Sequence, residues 1–395
     1  MPITKLPGVY YNEKVTYELT GEGSKIPVII GVTGNTGSEN YKVDGTVMRK
    51  FTSWEDVNRA IDAETPGIGV WTENTTNQLS KFLQEFFEES KLQVNSDIGV
   101  PYVYVIDVGD GKTKQAWLNA LDLAKTKLDA TIEVYVGADA IQSYDLKAFL
   151  DGAYEGVMGS RGIKPETQDL DLRCAFTTKG YLNPSSVTDA QLIALTNETT
   201  GVQYSRIGIC EPLLFGKTVA RICCTPSNTE PGYIEYRSVK PETFKERTKT
   251  EMMALQNAGI IFNRDEHING KVYPKINLCV STSFAKPIGS RDADALFHAR
   301  FNADSLLREI FEACYHQIKA NESATNLAYL QTRLNKIVND RVAAEDFIKY
   351  DEKTETGTKL VVNQSDADPY SLIITGQMQP QKCSVAIEVE AKVVI

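Results

Sequence analysis

The sequence predicts an α/β protein with an extended strand at each end of the chain. Over residues 25–224, short apolar runs alternate with segments whose apolar residues recur at helical spacing. Such alternation is typical of a largely parallel sheet covered by helices. The last twelve residues alternate between apolar and polar side chains instead, the pattern of a half-buried strand. A chain of 395 residues that is 42% hydrophobic suggests two or three domains.

The first twenty residues show little periodicity. Pro7 and Gly8 form a turn signal, and the next three residues, Val9, Tyr10 and Tyr11, form a short run typical of a strand. We therefore expect a short extended segment near the N-terminus.

The region from residue 25 to residue 224 is predicted to be the α/β layer. Strands are predicted at 27–32, 100–108, 131–136, 172–176, 204–210 and 218–224. Helices are predicted where apolar residues recur at spacings of three and four. These residues are Leu79, Phe82, Leu83, Phe86 and Phe87, and then Trp117, Ala120, Leu121, Ala124 and Leu128. Two further helices are predicted at 144–154 and 189–196.

Three prolines in residues 225–241 interrupt this alternation and predict a domain boundary. A helix is expected at 244–258, ended by Gly259 in a left-handed conformation. Strands are expected at 260–262 and 276–280. The polar residues 263–271 between them are interpreted as a turn, with Asn269 and Gly270 at its tip.

Two long helices are predicted next, at 294–318 and 324–338. Only three residues separate them, so we expect an antiparallel pair. On the first helix one apolar stripe contains Leu306 and Ile310, and a second stripe beside it implies burial against more than one partner. Strands are expected at 347–350, 359–362 and 372–374.

The final strand, residues 384–395, is about twice the average length and contains no turn residue. One parity carries Val385, Ile387, Val389, Ala391 and Val393, and the other is mostly polar. Such a strand is either the last strand of its own sheet or an arm that completes the sheet of a neighbour.

The glycines Gly31, Gly34 and Gly37 follow a predicted strand, as in a phosphate-binding loop. That mechanism needs a helix directly after the loop, whereas the following residues are polar, without helical periodicity and without a Gly-Lys-Ser/Thr motif. A glycine-rich surface loop is the favoured interpretation. An α/β nucleotide-binding enzyme that uses the Gly31–Gly37 loop remains the alternative.

No other motif indicates catalysis, a cofactor or a metal. His267 falls in the predicted charged turn, and His298 and His316 are expected mainly away from the apolar stripe of the long helix. Seven scattered cysteines without framework spacing indicate reduced, buried thiols made in a cytoplasm. The net charge of −10 argues against a general nucleic-acid surface. No apolar run approaches the length of a membrane span, and the N-terminus does not resemble a signal peptide.

The order of these segments resembles the tail sheath proteins of contractile phage tails and phage-like contractile injection particles. PGVYYNE resembles the opening arm of that family, KIPVIIGVTGNTG its first strand and glycine loop, and YVYVIDV its next core strand. LQNAGIIFNRDEHINGKVYPKINLCVSTS is similar to the strand and hairpin that lead into the last domain. HARFNADSLLREIFEACYHQI resembles the first of its paired helices, and IEVEAKVVI its C-terminal strand arm.

The resemblance implies an outer α/β domain at 21–235 inserted into an α+β inner domain at 236–383, with arms at 1–20 and 384–395. It implies a non-enzymatic subunit without cofactors that stacks in six-fold rings around a tail tube and contracts. The expected partners are further copies of the chain, the tube protein, and baseplate and tail terminator proteins, in a virion tail or phage-like particle. Val9, Tyr10, Tyr11 and the apolar parity of 384–395 would form subunit interfaces. A non-contractile shell or filament protein is a further alternative.

Overall fold

The computed structural model describes residues 25–34, 48–57, 77–91, 99–125, 130–140, 173–197, 201, 203–227, 229–287, 295–315, 324–364 and 372–381. The chain divides into two compact units. The larger unit comprises the described residues of Tyr10–Pro226 and Glu230–Arg300, and the smaller unit those of Ser227–Thr229 and Phe301–Ile395. Both predicted arms, and the helix expected at 144–154, lie outside the described residues.

A seven-stranded sheet forms the centre of the larger unit. Its strands are β1 (Pro27–Gly31), β2 (Met48–Phe51), β3 (Val103–Asp107), β4 (Ile132–Val136), β5 (Cys174–Thr177), β6 (Ile207–Cys210) and β7 (Ile260–Ile261). The spatial order is β2-β3-β1-β4-β5-β6-β7, and every neighbouring pair is parallel except β2 with β3. The predicted parallel sheet is confirmed, whereas the edge strand β2 was not predicted.

In the described part of the larger unit, five α-helices accompany this sheet: α1 (Gln78–Ser90), α2 (Lys114–Lys125), α3 (Asp189–Ile193), α4 (Phe215–Cys224) and α5 (Lys249–Asn257). All residues of β1 and β4 are buried, as in parallel strands covered on both faces. Trp117 and Leu121 of α2 share a core cluster with Val28 and Ile30 of β1. Gly31, of the opposite parity in β1, lies against Leu79 of α1. Helices therefore cover both faces of the sheet.

The strand predicted at 218–224 is wrong, because these residues belong to helix α4. All ten residues of α4 are buried. Phe215, Val219 and Ile222 recur at spacings of four and three, so the sequence does show a helical period, which begins before the predicted strand. Gly216 allows α4 to approach α1 closely, since a Cβ there would lie 2.5 Å from the carbonyl oxygen of Phe82. The rings of Phe82 on α1 and Phe215 on α4 pack edge to face in the same contact, with their centroids 5.2 Å apart.

The turn predicted at 263–271 is wrong in extent and correct at its tip. Its residues form strand β8 (Asn263–Ile268), which pairs antiparallel with β9 (Lys271–Ile276). Asn269 and Gly270 connect the strands with φ values of 49° and 76°, as a two-residue hairpin turn requires. The strand expected at 276–280 is therefore shifted towards the N-terminus, and Val280 makes only an isolated bridge.

Helix α5 begins later than predicted because Thr248 and Glu251 form a capping box at its start. Gly259 follows its end with a φ of 69°, as expected for a left-handed cap. The helix predicted at 189–196 is confirmed as α3 followed by a short 3₁₀ turn, Ala194–Thr196.

Two helices and a hairpin account for most of the described residues of the smaller unit: α6 (Phe297–Tyr315, from residue 301 onward), α7 (Ala324–Ala343), β10 (Lys359–Gln364) and β11 (Leu372–Gln377). The guanidinium of Arg341 contacts Ser305 and Glu309. Arg333, about two helical turns earlier on α7, donates instead to the carbonyl of Ala313, which lies later on α6. This reversed order confirms the antiparallel helix pair. The buried residues between the helices and the hairpin are Leu306, Ile310, Ala313, Leu330, Leu334, Val338, Phe347 and Leu360. The strand predicted at 347–350 is reduced to isolated bridges at Phe347 and Lys349.

Candidate functional site

The glycine loop after β1 is held by the protein's own carbonyl groups. The backbone amide of Val32 donates to the carbonyl of Val136 at 3.1 Å, and those of Thr33 and Gly34 both donate to Gly109 at 3.0 Å. These amides would have to face a phosphate in a nucleotide site. They are already bonded, so the described part of the loop offers no cradle. Gly37 lies outside the described residues.

Packing explains the glycine at position 31 without a ligand. A Cβ on Gly31 would lie 2.9 Å from Cδ1 of Leu79 and 3.0 Å from Cβ of Val136. Real Cβ atoms essentially never come so close, so a larger residue would push helix α1 away from the sheet. The small residue that suggested a phosphate loop is required by helix–strand contact.

A buried carboxylate lies at the same edge of the sheet, close to the glycine loop. Asp107, at the end of β3, is 7% exposed and accepts hydrogen bonds from the Thr33 hydroxyl at 2.9 Å and the Gly109 amide at 2.7 Å. Burial raises the pKa of Asp107 to about 6, although these hydrogen bonds oppose the change. The carboxyl group is turned towards its own loops and links the ends of β1 and β3 by these hydrogen bonds.

The histidines and cysteines form no reactive cluster in the part of the chain that the structure describes. His298 is buried rather than exposed, and its Nδ1 lies 3.4 Å from Oε2 of Glu230. His267 is exposed on β8, and His316 lies outside the described residues. Burial raises the pKa of the Cys223 and Cys279 thiols well above the usual value, which makes them poor nucleophiles. No group of three or more metal-binding side chains occurs among the residues described.

The hairpin β10–β11 is the feature of the smaller unit best suited to bind another chain. Its strands pair antiparallel from Lys359 opposite Gln377 to Gln364 opposite Leu372. One face carries Leu360, Val362 and Ile374, which pack against the helix pair. Leu372, at the end of that face, is 36% exposed. Among the described residues no strand pairs with the outer edge of β11, so its outward amides and carbonyls are suited to β-augmentation.

The predicted interface residues Val9, Tyr10, Tyr11, Val385, Ile387, Val389, Ala391 and Val393 all lie outside the described residues. Their role stays a prediction. Sequence reasoning placed strands at 359–362 and 372–374 but did not identify the hairpin as a binding site. The only signal was the alternation of apolar and polar residues, which does not show whether an edge is covered.

No helix of the described residues is long and apolar enough to cross a membrane. No protein-family model and no curated protein sequence matches the chain.

Solved structures give a clear result. A chain of the six-fold symmetrised baseplate of the anti-feeding prophage matches with a TM-score of 0.63 and 13% identity over 100% of both chains. The contracted helical sheath of the same particle matches with 0.62 and 12% over 99% of both. The contracted sheath complex of an extracellular contractile injection system (PVC) matches with 0.63 and 12% over 99% of this chain and 98% of that one. The chain therefore has the mixed α/β fold of contractile sheath proteins over nearly its whole length.

Proposed function

We propose that this chain is the structural subunit of a contractile sheath, which polymerises as stacked hexameric rings around a tail tube. The observation that carries the proposal is coverage: 98% or more of each compared sheath chain is matched by 99% of this one. A fold shared with one domain alone would leave the assembly segments unmatched. Contraction would then drive the tube through a cell envelope.

In this proposal the outer α/β domain, placed at 21–235, is inserted into an inner domain built from both chain ends. Membership of Ser227–Thr229 in the smaller unit supports a chain crossing near residue 230. Strand β7 lies beyond the proposed boundary and pairs with β6. A fragment of residues 25–235 would therefore lack one edge strand, and its thermal melt tests whether that domain folds alone.

The arms would connect the subunits. Val9, Tyr10 and Tyr11 at one end, and Val385, Ile387, Val389, Ala391 and Val393 at the other, would add strands to sheets of neighbouring copies. The hairpin β10–β11 supplies a suitable acceptor, because a two-stranded sheet gains stability from a third strand. A contact between unlike surfaces that does not close on itself generates a helical tube.

Contraction is then a switch between two packings of the same subunits. The proposed partners besides further copies are the tube protein, the baseplate and a tail terminator, in a virion tail or phage-like particle assembled in the host cytoplasm. The proposal includes neither catalysis nor a cofactor. The bonded amides of Val32, Thr33 and Gly34 argue against the alternative nucleotide-binding enzyme.

Negative-stain electron microscopy of the purified protein tests the proposal. We expect tubes with a helical lattice and, after a destabilising treatment, a second state that is wider and shorter. Tubes that exist in one state only would support a non-contractile filament instead. A protein that stays monomeric at high concentration, or that binds a nucleotide tightly by calorimetry, would overturn the sheath assignment.

A further inference from the structure

One face of the β8–β9 hairpin, together with the segment that pairs with β9, carries charged side chains. Glu235 makes an antiparallel bridge to Lys275 of β9, and Lys275 lies opposite Arg264 of β8. Residues directly opposite each other in antiparallel strands have their side chains on the same face. Residues two positions away along each strand share that face. We call the set the charged face, and all its members are half-buried: Glu235, Arg237, Arg264, Glu266, Tyr273 and Lys275.

Cations outnumber carboxylates on the charged face. Oε1 of Glu266 lies 2.8 Å from Nη2 of Arg264, and its Oε2 lies 2.7 Å from Nζ of Lys275. One carboxylate thus serves two cations, and the Lys275 ammonium holds the pKa of Glu266 below its usual range. Arg237 pairs with Glu235 at 3.2 Å. The face therefore keeps a net positive charge in a chain whose net charge is −10.

Both arginines of the charged face leave a hydrogen-bond donor unused. Nε of Arg237 and Nε of Arg264 are buried and have no acceptor among the described residues. A buried donor without an acceptor costs free energy, so another arrangement of these side chains would be favoured if it supplied one. The two side chains are 22% and 35% exposed, and a change of rotamer would bring Nε to the surface without moving the strands.

A carboxylate is the group that fits these donors. Glu235 accepts from Nη1 of Arg237 only, which leaves the edge formed by Nε and Nη2 for a second acceptor. The two oxygens of a carboxylate match that edge in the bidentate geometry that guanidinium groups favour. The charged face is therefore suited to an acidic segment of a partner.

An exposed loop of the smaller unit has the complementary charge. Residues 351–355, which we call the acidic loop, contain Asp351, Glu352 and Glu355 with a single lysine, and all five residues are exposed. Within the part of the chain that the structure describes, the carboxylates of Glu352 and Glu355 form no ion pair or hydrogen bond. Both groups are thus available to a cation of another molecule.

The backbone of the acidic loop is held in place. The amide of Asp351 donates to the carbonyl of Thr356 at 2.9 Å, and Nε2 of Gln377 donates to the carbonyl of Glu355 at 2.8 Å. Glu355 has a φ of 52°, a left-handed conformation in which glycine would be unstrained. The loop thus presents a glutamate at a position that its backbone would favour for glycine, on a support that is already ordered.

We propose that the acidic loop of a second copy docks on the charged face, where its glutamates accept hydrogen bonds from Arg237 and Arg264. Copies with a net charge of −10 repel one another, so a contact between them is favoured where the local charges are opposite. The two surfaces are unlike, and such a contact builds a ring or an open helix of copies. That the occupant is a second copy rests on the proposed function.

Zero-length carbodiimide crosslinking tests the proposal, because the reagent joins a lysine to a carboxylate only where the two are in contact. Full-length protein with ordinary nitrogen and protein with heavy nitrogen are mixed in high salt and returned to low salt at high concentration. We expect peptides of mixed label that join Lys275 to Glu352 or Glu355, since mixed label shows that the two ends come from different copies. The crosslink of Lys275 to Glu266 within one copy, 2.7 Å apart, shows that the lysine reacts.

Three results of this experiment would overturn the proposal. The first is a crosslink of Lys275 to Glu266 alone. The second is a crosslink to the acidic loop that carries a single label, which would place the contact within one copy. The third is a mixed-label crosslink of Lys275 to a carboxylate elsewhere in the chain, or to another protein.

Salt and a double variant test whether the contact is ionic. Raising the salt from about 0.1 M to about 1 M shortens the screening length from ~10 Å to ~3 Å, so the mixed-label crosslink should disappear. Arg237→Gln combined with Arg264→Gln should lower its yield about fivefold or more. The matched control Lys336→Gln, an exposed cation of α7, should leave the yield unchanged. A yield that resists both salt and the double variant would contradict an ionic contact, and the salt series needs no variant to fold.

These outcomes are distinct from those of the sheath proposal, because the crosslinks require contact between copies but not tubes. The expected crosslink in a protein that never forms tubes would retain this contact and refute the sheath function. Tubes in which Lys275 never joins the acidic loop would do the reverse.

Discussion

Replacing Glu89 by alanine should destabilise the larger unit strongly, because its carboxylate joins helix α1 to helix α4 and to the segment at Arg237 and Ser238. Its side chain is fully buried at the end of α1. The carboxylate accepts from the amides of Arg237 and Ser238 at 3.0 and 2.9 Å and from the Ser238 hydroxyl at 2.7 Å. Arg221 of α4, also fully buried, places Nη1 3.6 Å from Oε1 of Glu89.

The expected loss in the free energy of unfolding can be estimated from Arg221, whose charge stays buried after Glu89 is removed. Removing one partner of a buried ion pair costs about 3–5 kcal/mol, because the other charge stays buried without compensation. Arg221 also donates to the carbonyl of Glu235 at 3.4 Å and keeps this partner, so we expect a loss of about 3 kcal/mol, the lower end of that range. The preceding residue provides a matched control. Glu88 pairs with Lys217 but is 47% exposed, so Glu88→Ala should cost ~1 kcal/mol or less.

Urea unfolding followed by tryptophan fluorescence measures both variants, since Trp117 is buried in the same unit. With a slope of about 3 kcal/mol per molar urea, Glu89→Ala should lower the midpoint by about 1 M. Limited proteolysis should also cut the segment around Arg237 earlier than in the wild type. Equal midpoints for Glu88→Ala and Glu89→Ala would refute the assignment of Glu89 as the anchor of this segment.

Three further predictions concern other parts of the chain. Leu306→Ala, in the fully buried stripe of α6, should cost about 2–5 kcal/mol in urea unfolding, and a loss under ~0.5 kcal/mol would contradict its place in the core. Folding raises the pKa of Asp107 from 3.8 to about 6, so its contribution to stability is present below pH 3.8 and lost as the pH rises through about 6. The free energy of unfolding of Asp107→Asn, measured relative to that of the wild type, should therefore rise by ~3 kcal/mol as the pH increases from about 3 to about 7. A difference that does not change with pH would count against a buried carboxyl group. Deletion of 384–395, or Val389→Pro, should give folded monomers without tubes, and tube formation by either variant in the microscope would refute the arm.

The sequence was most informative where burial is one-sided or where a strand is buried throughout. Leu79, Phe82 and Phe86 recur at helical spacing because one face of α1 is buried, and the helix lies where it was predicted. Strand β1 (PVIIG) is a continuous apolar run of five residues, and β4 (IEVYV) is apolar apart from the buried Glu133; both are too short for a helix of ordinary length. In these segments the local pattern and the tertiary environment agree.

The failures have different physical causes. Helix α4 is buried on every side, including the cations Lys217 and Arg221, and its helical period is visible only when Phe215, which precedes the predicted strand, is taken together with Val219 and Ile222. Strand β8 is rich in charged residues because its two-stranded sheet leaves its side chains mostly half-buried or exposed, and the same composition is typical of a turn. The conformation of β8 depends on its pairing with β9, which composition cannot detect.

The candidate site was predictable only in part for the same reason. The period-two pattern of 384–395 identifies a strand that needs a partner, and the residues of that face can be listed from the sequence. The edges of the hairpin are different: the amide of Gln331 bonds to Leu360 and Val362 of β10, about thirty residues later in the chain. A glutamine on a helix is ordinarily a solvent-facing residue. Only the three-dimensional contact shows that it fills a strand position.

A sheath that contracts must rearrange contacts between copies while each body keeps its fold, since closely packed interiors switch between discrete arrangements rather than deform continuously. The larger unit has ion pairs suited to this requirement. Arg173 before β5 lies 2.9 Å from Glu133 of β4, and Arg247 before α5 lies 2.6 Å from Glu211 after β6. These four side chains are at most 9% exposed, and breaking one partner at a time would strand a buried charge. Neighbouring strands and the segments around them are thus fixed relative to one another. No strand of the described residues pairs with the outer edge of β11, and backbone hydrogen bonds there can form and break without such a penalty. Under the proposed function, movement between subunits is therefore expected at the arms and not within this body.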